Sequence, residues 1–198
     1  MIRDFHIADF LTLANGGCGT ASVFLAIEHA REPRPEHVFG AAVLVVAALI
    51  FDVLDGRIAR RRHADSPLGR ELDSLADVIS FGVAPACLAY AVGMDGELDA
   101  LCLLYFAACG ISRLARYNVT AEAIAGTGGK VTYFEGTPIP TSVLLVLLLA
   151  LLGALGRLGP ALPFGAIELA GARLHPLVLL FVVSGSLMIS KTLRIPKP

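Results

Sequence analysis

FDVLDGRIARRRHADSPLGRELDSLADVISF, residues 51–81, carries five aspartates, four of them at two helical spacings, Asp52 with Asp55 and Asp73 with Asp77. Residues three or four apart share a helix face, so each pair points one way from its own helix. Two such helices side by side bring the carboxylates together. Like charges in a poorly hydrated place repel strongly, so the cluster needs cations. Hard divalent metals with oxygen ligands meet that need, Mg²⁺ and Mn²⁺ first among them. Two metals held by bridging carboxylates suit phosphoryl-type displacement. In helix order Asp52, Asp55, Gly56 and Ala59 make one stripe, acidic and then nearly without side chains. A nucleotide can lie on such a floor, and Arg60 on its flank can fork onto phosphate oxygens.

Outward from this stretch the chain is strongly apolar. Of its 198 residues 56% are hydrophobic and only 17% charged, against about 25% charged in soluble domains. Apolar runs recur near membrane-spanning length. The expectation is a single all-α domain over residues 1–198, a polytopic integral membrane protein with six transmembrane helices. The spans fall at about 10–27, 38–54, 70–92, 99–112, 139–155 and 176–190. Residues 1–9 read as an amphipathic lead-in at the membrane surface, without a cleavable signal pattern. The first span holds Asn15, Gly16, Gly17, Gly19 and Thr20. Glycines there mark close helix packing or a ligand-facing wall, and Asn15 is a poor resident of lipid.

Residues 63–69 read as a turn-rich link with Pro67 and Gly69 as breakers. A link that short forces the second and third spans to meet antiparallel, with all the aspartates at one depth. Residues 121–138 read as irregular, and 156–174 as either a surface helix or a loop. Cys18, Cys87, Cys102 and Cys109 all lie in apolar stretches without metal-ligand spacing, as small buried residues do. Nothing interleaves basic and aromatic residues as nucleic-acid binding would require. Twelve of the 16 lysines and arginines fall on one side, namely Arg3, the Arg57–Arg70 cluster, Arg113, Arg116, Lys130 and the tail. The positive-inside rule then places both termini and the aspartates on the cytoplasmic side of the cell (inner) membrane.

The pattern Asp52-x2-Asp55-Gly56-x2-Ala59-Arg60-x8-Gly69-x3-Asp73-x3-Asp77 matches the signature of the CDP-alcohol phosphotransferase family. Six spans agree with that family's fold. The resemblance implies displacement at the phosphorus of a CDP-linked lipid by an alcohol, with release of CMP, at the cytoplasmic end of helices 2 and 3. It implies that Asp52, Asp55 and Asp73 hold a metal pair and that Asp77 touches the second metal. The family's last aspartate is its proposed general base, which makes Asp77 the candidate to take the alcohol proton. Asp55, Gly56, Ala59, Arg60 and Gly69, with Asn15 from the first span, would bind CDP. Relatives of this fold are generally dimeric, so a homodimer is expected.

Residues 73–86, 113–119 and 134–140 resemble the phosphatidylserine synthase branch of the family, although Thr137-Pro138 stands where Leu-Pro is expected. That likeness favours CDP-diacylglycerol as donor and serine as acceptor. Arg113 or Arg116 would pair the serine carboxylate and Asn118 would orient it. Both arginines also suit plain anchoring at a span end. Glycerol 3-phosphate, inositol phosphate or inositol remain as other acceptors. A divalent-cation transporter needs polar residues across the whole membrane, and the middles of the second, third and fifth spans are apolar. The intact signature argues against an inert scaffold.

Overall fold

Inside a bilayer every backbone N–H and C=O must find a partner within the protein, so long apolar runs fold as helices. The computed structural model describes residues 7–62, 67–126, 133–169, 171–192 and 194–196. Seven helices order the described residues: α1 (Ile7–Arg31), α2 (Pro35–Arg62), α3 (Pro67–Asp77), α4 (Ala84–Ala91), α5 (Glu97–Gly126), α6 (Val143–Ala154) and α7 (Leu179–Ile189). A π-helical turn, Val78–Val83, joins α3 to α4 without a break. Short 3-10 turns, Ile139–Ser142 and Pro176–Val178, lead into α6 and α7. Among the described residues four helices are long and apolar enough to cross a membrane: Ala8–Arg31, Pro35–Ile58, Leu68–Ala91 and Glu97–Thr120. Ile139–Ala154 and Pro176–Ile189 are shorter apolar helices.

Several boundaries differ from those expected. Pro67 and Gly69 stand in the first turn of α3, not in the link. Proline suits a helix's first position, where its missing N–H has no partner to lose. α5 runs on to Gly126, well past Ser112, because its polar second half still has good helix formers. Residues 156–174 hold no long helix: a 3-10 turn at Gly159–Ala161 precedes a hairpin of β2 (Ile167–Leu169) and β3 (Ala172–Leu174). After α5, β1 (Tyr133–Glu135) pairs antiparallel with β4 (Arg194–Pro196), Phe134 opposite Ile195. Most of the lead-in (residues 1–6), the first four residues of the expected link (63–66) and Lys130 lie outside the described residues.

α1 packs along α2 and then across α3, the π turn and α4, while α5 packs on α7 and α6 on α2 and α4. The core between them is apolar: Val38, Val45 and Ala48 of α2 share one buried cluster with Phe81, Leu88, Phe106, Val146 and Met188. Phe106 and Phe181 meet edge to face with ring centres 5.3 Å apart, a favoured aromatic geometry. Apolar residues also point outward: Val43, Leu104 and Leu144 are 66%, 66% and 70% exposed. A helix apolar on both faces suits lipid rather than water.

The start of α5 is latched to the chain before α7. Asp99 is fully buried and accepts from the Gly96 N–H at 2.9 Å, as a capping residue does. It also accepts from the His175 N–H at 2.8 Å, and its other contact is His175 Nδ1 at 2.5 Å. Asp99→Ala strands those donors inside the protein and is expected to cost about 3 kcal/mol. A thermal midpoint equal to that of the wild type would show the latch to be slack.

Candidate active site

α2 and α3 deliver their aspartates to one place. Carboxylate oxygens of Asp52, Asp55 and Asp73 all lie within 4.8 Å of one another. Asp55 is buried, and Asp52 and Asp73 are half-buried. One oxygen of Asp73, Oδ1, is buried without a hydrogen-bond partner among the described residues. Three converging carboxylates with an unsatisfied buried oxygen are the donor set of a hard divalent cation. The residues present therefore fit the metal that the sequence motif implies.

α1 closes the site as a third wall. Thr12 Oγ1 donates to Asp55 Oδ2 at 2.7 Å, and Asn15 Nδ2 donates to Asp77 Oδ1 at 3.1 Å. Asp77 is buried, one turn beyond Asp73. Immediately after it the helix widens, and the Ala84 N–H reaches back five residues to the Ile79 carbonyl. Such π turns frequently occur at functional sites. This one presents Ser80 to α1, where Ser80 Oγ donates to the Asn15 carbonyl at 2.9 Å. Gly16 faces Ala76, and Gly19 leaves room for the Ser80 backbone. Gly16 and Gly19 of the first span thus serve helix packing, while Asn15 faces the carboxylates.

Gly56 is half-buried on α2 beyond Asp55, and Gly69 is half-buried on α3. Ala59 and Arg60 continue α2, but their side chains lie outside the described residues. The three expected acceptor residues of α5 part ways. Arg113 is buried within electrostatic reach of Asp77, with its guanidinium 6.0 Å from the Tyr117 ring centre. Asn118 Nδ2 donates to Ser74 Oγ at 2.9 Å, beside Asp73 in sequence. Arg116 Nη1 instead donates to the carbonyl of Ile189, the last residue of α7, at 3.2 Å. A cation at a helix C-terminus is favourable by itself.

Thr12, Ser74 and Ser80 were not singled out from the sequence. Thr12 had one signal: it stands three residues before Asn15, on the same helix face. Elsewhere, a largely apolar cavity of about 650 Å³ opens between α1, α4 and α5, lined by Ala26, Val83, Cys87, Tyr90 and Leu103. None of the aspartates lines it.

Residues 5–185 match the model of the CDP-alcohol phosphatidyltransferase family. The chain belongs to this family. Among CDP-alcohol phosphatidyltransferases it is 42% identical to the CDP-diacylglycerol--serine O-phosphatidyltransferase of Saccharomyces cerevisiae, over its full length and 73% of that protein. It is 33% identical to the enzyme of the same name from Bacillus subtilis, over 68% of this chain and 70% of the relative. It is 36% identical to the archaetidylserine synthase of Methanothermobacter thermautotrophicus, over 71% of this chain and 55% of the relative.

Proposed function

We propose that this CDP-alcohol phosphatidyltransferase transfers the phosphatidyl group of CDP-diacylglycerol to serine, forming phosphatidylserine and releasing CMP. The observation that carries the reading is the convergence of three signature carboxylates, with a buried arginine within electrostatic reach of the fourth, in a chain similar along its whole length to a named serine enzyme. The serine hydroxyl oxygen forms the new bond to the lipid-bearing phosphorus. The bond from that phosphorus to the CMP oxygen breaks, and CMP leaves with the electron pair.

Asp52, Asp55 and Asp73 would hold two Mg²⁺ or Mn²⁺ ions, with Asp77 on the second. Bound there, the cations supply positive charge against the diphosphate and its transition state. Asp77 takes the proton of the serine hydroxyl, and its burial against Asn15 keeps it in one orientation. Asn15 Oδ1, buried without a partner among the described residues, accepts from the nucleotide in this reading. Gly56, Ala59 and Gly69 give the nucleotide close approach, Asp55 borders it, and Arg60 pairs with the diphosphate. Arg113 pairs with the serine carboxylate, and Asn118 orients it from beside Ser74. Arg116 braces that wall through α7.

The whole chain acts as one domain, with the two shorter apolar helices completing six spans. The site then opens to the cytoplasmic face of the inner membrane, as the bias of lysine and arginine requires. A homodimer is part of the same reading.

The test is CMP release from CDP-diacylglycerol in detergent with Mn²⁺, adding serine, glycerol 3-phosphate, inositol phosphate and inositol in turn. Release with serine alone is the expected result. Release with a different alcohol alone would discard the acceptor pocket and keep the aspartate chemistry.

A further inference from the structure

We infer that Thr12 is a positioning residue for Asp55, fixing from α1 how that carboxylate meets a divalent cation. The inference rests on the metal reading of the aspartates given above. Thr12 is 4% exposed, and its hydroxyl lies 2.7 Å from Asp55 Oδ2 and 3.2 Å from the carbonyl of Ala8. A threonine hydroxyl has a single hydrogen to give. The nearer acceptor, the Asp55 carboxylate, takes it, because the shorter contact is the stronger bond. The Ala8 carbonyl is the usual backbone alternative in a helix and is here the poorer one.

That bond crosses from the first helix to the second, between residues 43 apart in the chain. Asp55 belongs to the group of three carboxylates whose oxygens converge within 4.8 Å. A carboxylate free to rotate about its side chain presents either oxygen in many directions. With Oδ2 tied to Thr12 the rotation is stopped and the carboxylate is held ready for its ligand. Partners behind metal ligands act in this way, and their loss typically weakens metal binding about 10–100-fold. Asn15 does the same for Asp77 one turn further along α1. The two bonds together make α1 the wall that sets both carboxylates.

The experiment compares wild type, Thr12→Val and Thr12→Ser in detergent without substrate. Valine keeps the volume and the branch and removes only the hydroxyl; serine keeps the hydroxyl. Mn²⁺ binding is read by the loss of the free-ion electron paramagnetic resonance signal. Thermal midpoints are taken without metal. Thr12→Val is expected to bind Mn²⁺ about tenfold more weakly, with Thr12→Ser close to wild type. In turnover, the Mn²⁺ concentration for half-maximal rate rises by more than kcat falls in Thr12→Val.

Equal Mn²⁺ binding by Thr12→Val and wild type would overturn the inference and leave the metal reading standing. Weak binding in both variants, with both midpoints lowered, would also overturn it, because the residue would then be structural. No Mn²⁺ binding by the wild type would overturn the metal reading, and the inference with it.

Discussion

Asp77→Asn is expected to reduce CMP release by about 10²–10⁴-fold, the loss usual when a proton acceptor is removed. The substitution keeps the shape of the side chain. Asn15 Nδ2 still finds an amide oxygen to donate to at the position of Asp77 Oδ1, so the contact between α1 and α3 survives. What disappears is a negative charge, together with a group able to accept a proton. Asp77 is buried, so no bulk water stands in for it readily. Arg113 also loses the charge that balances it across the α3–α5 interface. The measurement is CMP release at saturating serine and Mn²⁺, with size-exclusion behaviour and helix content as checks on folding. Residual activity above about a tenth of wild type would place the proton acceptor elsewhere, since loss of a general base costs more than that.

The parts of this site that sequence reveals are the ones written within a single helix. Asp52 with Asp55, and Asp73 with Asp77, declare their shared faces through spacing alone. The short link between α2 and α3 then requires the pairs to meet, and three of the carboxylates do so within 4.8 Å. The contributions of α1 are of another kind. Thr12 meets Asp55 across 43 residues and Asn15 meets Asp77 across 62. Periodicity says which face a residue is on but not which helix that face will touch. The π turn is equally hidden, because Val78–Val83 has no residue that by itself demands a wider helix. It arises where Ser80 is drawn against Gly19 and the Asn15 carbonyl. Pro67 misled for a simpler reason: proline ends helices and also begins them. The β1–β4 pairing joins two three-residue segments, too short to show a strand period.

Gly19→Ala is expected to lower both stability and activity, whereas Gly17→Ala, two residues earlier on the same helix, is expected to be neutral or slightly stabilising. In an exposed helix interior alanine is favoured over glycine by about 1 kcal/mol. A Cβ at Gly17 meets nothing within 4 Å, so only that gain remains. At Gly19 a Cβ would stand 2.3 Å from Ser80 Oγ, 2.6 Å from Ser80 Cα and 2.9 Å from Ser80 N. The hydroxyl can turn away, but the two backbone atoms cannot. α1 must therefore lift off the π turn, and overpacking of that kind costs about 1–3 kcal/mol. The lift acts first on the Ser80 bond to the Asn15 carbonyl and then on the Asn15 bond to Asp77. A displacement of about 1 Å at a reacting group can cost about a hundredfold in rate. Thermal midpoints and CMP release for the two variants, side by side, decide the matter. A Gly19→Ala protein as stable and active as Gly17→Ala would mean that the contact between α1 and the π turn yields without disturbing Asp77, and that α1 is not what holds the carboxylate in place.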